Sequence, residues 1–236
     1  MSQLAIITGA SSGIGAACAE LFRAAGREVV NVSRRTCPVE GVINVLADLS
    51  DTTALASLTS RLSQIIEDYS PTDICVVHNA ALMLSDTAQQ CDDDALLRVL
   101  QVNVTAINAI NRQLLPGLPR NSSILIVGST LSEKAVPGAF SYIVSKHAQI
   151  GLMRATCQDL MGTGIHTALI CPGFTDTEML RNHIGNDEAV IDSISQMNSF
   201  GRLVQPEEIA RLIVWAHENP AINGAALHAN LGQVER

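Results

Sequence analysis

The chain is poor in aromatic side chains, which make up 3% of its 236 residues, with Trp215 its single tryptophan. A core without large rings must rest on Ala, Val, Ile and Leu, and hydrophobic residues reach 47%. Long apolar runs of that kind suit a parallel sheet covered on both faces. Positive charge is also scarce. Fifteen Lys and Arg face 23 Asp and Glu, for a formal net charge of −8, which excludes the basic face a nucleic acid requires. No run approaches the ~18 apolar residues of a membrane span, and the opening residues lack the basic n-region of a secretion signal. The expected compartment is the cytoplasm. Six cysteines (Cys18, Cys37, Cys75, Cys91, Cys157, Cys171) form no C-x-x-C pair, and the six histidines are as scattered. Metal ligation needs closely spaced ligands, so no metal site is expected and the thiols are read as free and buried.

What the sequence does contain is an alternation of strand-like and helical stretches. Apolar runs at 4–8, 28–33, 43–47, 74–78, 123–128, 166–171 and 225–229 read as strands. Helical spacing covers 13–25, 52–68, 92–115, 141–161 and 206–217. Gly26 suits a helix stop, three aspartates at 92–94 suit the positive end of a helix, and Pro206 followed by two glutamates suits a helix start. Such alternation predicts an α/β fold with a doubly wound parallel sheet, in a single domain over 1–236. Residues 178–202 mix apolar and polar side chains without a settled pattern. They suit either a substrate lid over 178–200 or a helix packed permanently on the body.

Thr8-Gly9-Ala10-Ser11-Ser12-Gly13-Ile14-Gly15 follows the first strand and opens the first helix. Glycines permit a tight turn and a close backbone approach, and the helix start offers N–H groups to a pyrophosphate. Glycines also end strands for structural reasons alone. After the second strand, where an NAD-preferring site carries a ribose-binding acid, this chain has Ser33, Arg34 and Arg35. A hydroxyl and guanidinium groups suit a phosphate dianion, so NADP(H) is expected in preference to NAD(H). Tyr142 and Lys146 lie four apart on a helix and share a face. A neighbouring cation should ease deprotonation of the phenol, and proton transfer is half of reducing a carbonyl.

Gly9-x-x-x-Gly13-x-Gly15, Ser129 and Tyr142-x-x-x-Lys146 together resemble the short-chain dehydrogenase/reductase family in its compact, single-domain form. The resemblance runs nearly end to end. His78-Asn79-Ala80-Ala81 sits where the family usually has Asn-Asn-Ala-Gly, and Val102-Asn103-Val104 resembles its mid-helix asparagine motif. Pro172-Gly173-Phe174-Thr175-Asp176-Thr177 resembles its cofactor loop, and Gly201-Arg202 with Pro206-Glu207-Glu208-Ile209-Ala210 its last helix start. Asn223-Gly224 and Ala229-Asn230-Leu231-Gly232 look like its closing strand, with Leu231 in place of a usual glycine. His78 and Ala81 depart from the pattern and bear on contacts near the nicotinamide ribose.

The resemblance implies a Rossmann-like fold and an oxidoreductase that reduces a carbonyl to an alcohol by hydride transfer from a nicotinamide cofactor. It implies Tyr142 as general acid, Lys146 as the group that tunes it and binds the ribose, and Ser129 as donor to the substrate oxygen. Asn103 would hold a water beside Lys146. Implied cofactor contacts are Gly9, Ser11, Ser12, Gly13, Ile14, Gly15, Ser33, Arg34, Arg35, Asp48, Leu49, Asn79, Ala80, Ala81, Pro172, Gly173, Thr175 and Thr177, besides Tyr142 and Lys146. Apolar Leu82, Met83, Leu84, Val136, Met179 and Leu180 in the substrate-choosing segments point to a small, partly apolar ketone. A 3-oxoacyl-thioester reductase and a pterin-type reductase are the alternatives within the class, and a non-catalytic dinucleotide-binding redox sensor the alternative outside it. Relatives pair through helices corresponding to 92–115 and 141–161, so a homodimer or homotetramer is expected, with Ala148, Gly151 and Ala155 permitting close approach.

Overall fold

A computed structural model describes residues 2–233 of the chain. In chain order its elements are β1 (Leu4–Thr8), α1 (Gly13–Ala24), β2 (Glu28–Ser33), β3 (Ile43–Leu46), α2 (Thr52–Tyr69), β4 (Ile74–His78), α3 (Asp93–Leu100), α4 (Ala106–Leu114), β5 (Ser123–Val127), α5 (Phe140–Asp159), β6 (His166–Pro172), α6 (Glu178–His183), α7 (Glu188–Ser195), α8 (Pro206–Glu218) and β7 (Ala225–Ala229). The seven strands are all parallel, in the order β3-β2-β1-β4-β5-β6-β7. This is the expected Rossmann-like sheet, within one domain.

The apolar runs explain the layers. Along β1, Leu4 and Ile6 face one side and Ala5 and Ile7 the other, because successive side chains alternate. Leu4 and Ile6 pack with Leu58, Leu62, Ile110 and Leu114 from α2 and α4. Ala5 and Ile7 pack with Cys18 and Phe22 of α1 and Ile209 and Ile213 of α8. A strand buried on both faces has no use for polar alternation, which is why β1, β4, β5 and β6 read as unbroken buried runs.

Two places depart from the regular pattern. The stretch expected as one helix over 92–115 is interrupted by a π turn at Gln101–Thr105, between α3 and α4. The 178–202 stretch holds two short helices, α6 capped by Thr177 and α7 capped by Asp187. Five cysteines are buried and Cys91 is half-buried, all six as free thiols. No helix among the described residues is long and apolar enough to cross a membrane. The strand order reverses between β1 and β4, and there the loops leaving the carboxyl ends of the strands open a crevice.

Candidate active site

The crevice is a cleft of about 1190 Å³. On its floor lies the glycine turn. Gly9 has φ +76°, and a Cβ there would meet the Ala80 backbone at 3.0 Å. Gly15 is held still closer, since a Cβ on it would lie 2.3 Å from the Gly9 carbonyl oxygen. Only bare backbone fits this cradle. Neighbouring side chains fix it: Asn79 Nδ2 donates to the Thr8 and Gly9 carbonyls at 3.1 Å, and Thr8 Oγ1 accepts from the Asn79 and Ala80 N–H groups at 3.0 Å. The Ala10 N–H donates to Asn31 Oδ1 on β2 at 3.0 Å. Sequence reading missed Thr8 and Asn31 as supports.

The loop after β2 forms the next wall. Ser33, Arg34 and Arg35 line the cleft, as do Asp48 and Leu49 after β3. Ser33 Oγ already donates to the Arg35 carbonyl. Arg35 reaches across the cleft mouth to Glu178 Oε2 at 2.9 Å and Ser12 Oγ at 3.4 Å. Asp48 accepts from the Ser50 N–H and hydroxyl, which hold its carboxyl below the usual range, with Arg34 nearby adding to the effect. The N-cap of α2 is Asp51, which accepts from the Thr53 and Ala54 N–H groups. Asn79, Ala80, Ala81, Pro172, Gly173, Thr175 and Thr177 line the cleft beyond β4 and β6, with Ser11, Ser12, Gly13 and Ile14 beneath. Gly15 and Asn103 do not line it; Gly15 underlies the turn.

Ser129, Tyr142 and Lys146 meet on the far wall. Ser129 caps the turn after β5, accepting from the Leu131 N–H at 3.1 Å. Tyr142 and Lys146 sit one turn apart on α5, with Lys146 Nζ 5.2 Å from the tyrosine ring centroid. Burial pushes the Tyr142 phenol up, against a hydrogen bond with Ser129 that favours its ionised form. Burial also brings Lys146 down to about 7. The phenol is thus raised where a lowered one was expected, because burial outweighs what its neighbours offer the ionised form.

Asn103 is fully buried in the π turn, and its place differs from expectation. Its side chain is taken up by the Leu82 backbone, as acceptor at 2.7 Å and donor at 2.9 Å, and by Ser145 Oγ at 2.9 Å. Its carbonyl accepts from Gln149 Nε2 at 2.7 Å, and Gln149 Oε1 accepts from Lys146 Nζ at 3.1 Å. Asn103 and Lys146 are thus joined through Gln149. His78, the departure beside Asn79, faces away from the cleft and bonds Asn111 Oδ1 at 2.7 Å. Leu231, where a glycine is usual, has φ +55°, a conformation that costs a leucine about 1–2 kcal/mol.

Apolar Leu82, Met83, Leu131, Val136, Met179, Leu180 and Ile184 line much of the rest, with Ser85, Arg98, Lys134, Asn182 and His183 among them. Leu84, grouped with them from sequence, does not line the cleft. His183 of α6 lies 3.2 Å from Ser85 Oγ, so α6 touches the loop after β4 across the opening. Among the described residues no group of three or more His, Cys, Asp or Glu side chains could hold a metal ion.

The family model described as enoyl-(acyl carrier protein) reductase matches residues 9–233. The chain is 27% identical over 239 residues to the 3-oxoacyl-[acyl-carrier-protein] reductase of Vibrio cholerae, covering 98% of this chain and 96% of that one. It is 31% identical over 221 residues to the 2-keto-3-deoxy-L-fuconate dehydrogenase of Xanthomonas campestris, covering 89% and 72%. A short chain dehydrogenase of Burkholderia cenocepacia, solved in complex with NADP, matches with a TM-score of 0.84 at 26% identity, over 97% of this chain and 96% of its own. A match from the glycine turn to the last described residue, on a sheet of this order, means that the chain belongs to the short-chain dehydrogenase/reductase family of oxidoreductases.

Proposed function

We propose that the protein is an NADP(H)-dependent reductase of a small, partly apolar carbonyl compound, with Ser129, Tyr142 and Lys146 as its catalytic set. One observation carries the reading: the glycine cradle, the Arg34–Arg35 loop and the Ser129–Tyr142–Lys146 group share one cleft. The cradle suits a dinucleotide because a Cβ at Gly9 or Gly15 would fill the space where backbone must approach phosphate. When bound, the cofactor supplies the hydride; the protein supplies position and proton. Tyr142, its phenol raised by burial, keeps its proton at neutral pH and is fit to give it to a carbonyl oxygen. Ser129 donates to that oxygen as negative charge gathers on it. Lys146, with a pKa of about 7, would bind ribose hydroxyls and, in its charged form, return to Tyr142 the proton that it gives up.

Recognition of the 2′-phosphate is assigned mainly to Arg34, with Arg35 second because Glu178 competes for it. A small apolar substrate is favoured over a phosphate-bearing thioester arm. Arg181 and Arg202, the basic groups of the lid region, are neutralised by Asp176 and Glu208. Residues 178–200 act as the lid. Gly151 and Ala155 are exposed and Ala148 half-buried on α5, so these small residues suit a helix from a second copy and not the sheet. Sedimentation at micromolar concentration should give two or four chains.

The test is a matched titration with NADPH and NADH, followed by turnover on a panel of ketones and acetoacetyl thioesters. NADPH should bind more tightly, and Arg34→Ala should weaken it roughly tenfold or more while sparing NADH, the range of a charge-assisted bond. Tyr142→Phe should bind cofactor yet lose about 10²–10⁴ in rate. Binding without turnover in the unmodified protein would instead identify a redox sensor. Tighter NADH would overturn the cofactor assignment alone.

A further inference from the structure

Gln149 has no part in the roles described above, yet it stands at their centre. It is 1% exposed, as is Lys146, and Asn103 is 0% exposed. Lys146 Nζ donates to two acceptors, the Val127 carbonyl at 2.8 Å and Gln149 Oε1 at 3.1 Å. The other end of the same amide donates to the Asn103 carbonyl at 2.7 Å, so acceptor and donor are both engaged and the amide orientation is fixed by its partners. The same α5 helix therefore carries Tyr142, Lys146 and, three residues on, the group that fastens Lys146 to the π turn.

We propose that Gln149 is a positioning residue of this site, its amide tying the Lys146 ammonium to the Asn103 carbonyl where a bridging water was expected. Resting on the reductase reading, this gives Gln149 a task distinct from general packing. A carboxamide oxygen that accepts from an ammonium favours its charged form, and it keeps the long lysine side chain in one rotamer. Unlike water or a hydroxyl, the amide has no proton it can readily exchange along a chain. The bridge holds the charge in place and does not conduct protons between Lys146 and the π turn. The other groups facing Lys146 are Tyr142 on its own helix and the Cys171 thiol on β6, beyond which lies Glu133. The π turn presents Asn103, which does not titrate.

The chain has two lysines, Lys134 and Lys146, so lysine-labelled protein gives two side-chain NMR signals, assigned with Lys134→Arg. The titration is read without cofactor or substrate. In Gln149→Leu, Lys146 loses an acceptor and its pKa should fall by about one unit; in Gln149→Glu, a carboxylate beside it should raise the pKa by about one unit or more. The high-pH limb of kcat/KM for reduction, where Lys146 loses its charge, should move in the same two directions. A merely structural Gln149 would lower stability in both variants without opposite shifts, and titrations unchanged within ~0.3 unit would overturn the proposal. Should Gln149→Leu unfold because the Asn103 carbonyl is left unpaired, Gln149→Asn decides: its amide is too short to bridge both partners, so the Lys146 pKa should fall as in Gln149→Leu, and an unchanged titration would overturn the proposal. If the NMR shifts occur but no carbonyl compound is turned over, the clamp stands and the reductase reading fails.

Discussion

At the scale of single residues, the site depends on atoms that are missing as much as on those present. Gly15 is the sharpest case, because an added Cβ would meet the Gly9 carbonyl carbon at 2.8 Å besides its oxygen at 2.3 Å. Backbone cannot swing aside as a side chain can. Gly15→Ala should therefore cost about 3 kcal/mol or more, at the upper end of overpacking effects, and should abolish dinucleotide binding even where the fold survives. Gly151 on α5 makes the contrast: nothing lies within 4 Å of its virtual Cβ, and Gly151→Ala should leave binding intact. Urea unfolding and NADPH titration of the two variants check this. A Gly15→Ala protein that binds NADPH normally would mean that the turn adjusts in ways the close contacts disallow.

Elements were legible where their pattern is local. The strands stood out because β-branched residues fill positions buried on both faces, and β1, β2, β4 and β7 begin and end at the expected residues. The π turn did not stand out, since apolar spacing runs smoothly through 92–115 and the irregularity lies in the backbone. Gln149 was hidden for a related reason: its partner Asn103 lies 46 positions away, and nothing in a Tyr-x-x-x-Lys spacing signals a group three residues later. Ser33 was legible as a cleft residue but not as one whose hydroxyl bonds its own loop.

Residues 178–202 showed no settled pattern because α6 and α7 are short and separated by Gly185 and Asn186, both at positive φ. Their coupling to the cofactor loop is the ion pair of Arg35 with Glu178, exposed at 60% and 52%. A pair so exposed is weak and screened by salt, so a phosphate dianion can displace the carboxylate. Glu178→Gln should tighten NADPH roughly two- to fivefold at low salt, with NADH unchanged. An equal change for both cofactors would place Arg35 outside phosphate recognition.

Across the whole molecule, the polar groups gather at two poles of one sheet. The cleft lies at the carboxyl ends of the strands, and a second buried cluster lies at the amino ends, where Arg27 precedes β2, Asp73 precedes β4 and Ser123 opens β5. His217 of α8 joins them, donating from Nε2 to Asp73 Oδ1 at 3.1 Å and accepting at Nδ1 from Ser123 Oγ at 2.7 Å. Arg27 donates to the same Oδ1 and Gln3 to Oδ2, and the two keep the Asp73 carboxyl low against the effect of burial. Burial, reinforced by Arg27, brings His217 down to about 4, and burial brings His78 to about 4 as well. Both are thus neutral in the folded protein at pH ~5, where their unfolded counterparts, with pKa near 6.5, are charged. The unfolded chain then binds protons that the native chain does not, so stability present above pH ~6.5 is lost as pH falls towards 4. Each histidine should cost about 2 kcal/mol by pH ~5, approaching a slope of ~1.4 kcal/mol per unit. Urea unfolding between pH ~7 and ~5 should show this fall, and His217→Gln should flatten the slope by about one proton while lowering stability at neutral pH. Because His217 stands at the opposite pole from Tyr142 and Lys146, the same variant should leave the pH profile of cofactor binding where it was. A shift of that profile would mean that the two poles communicate through the sheet.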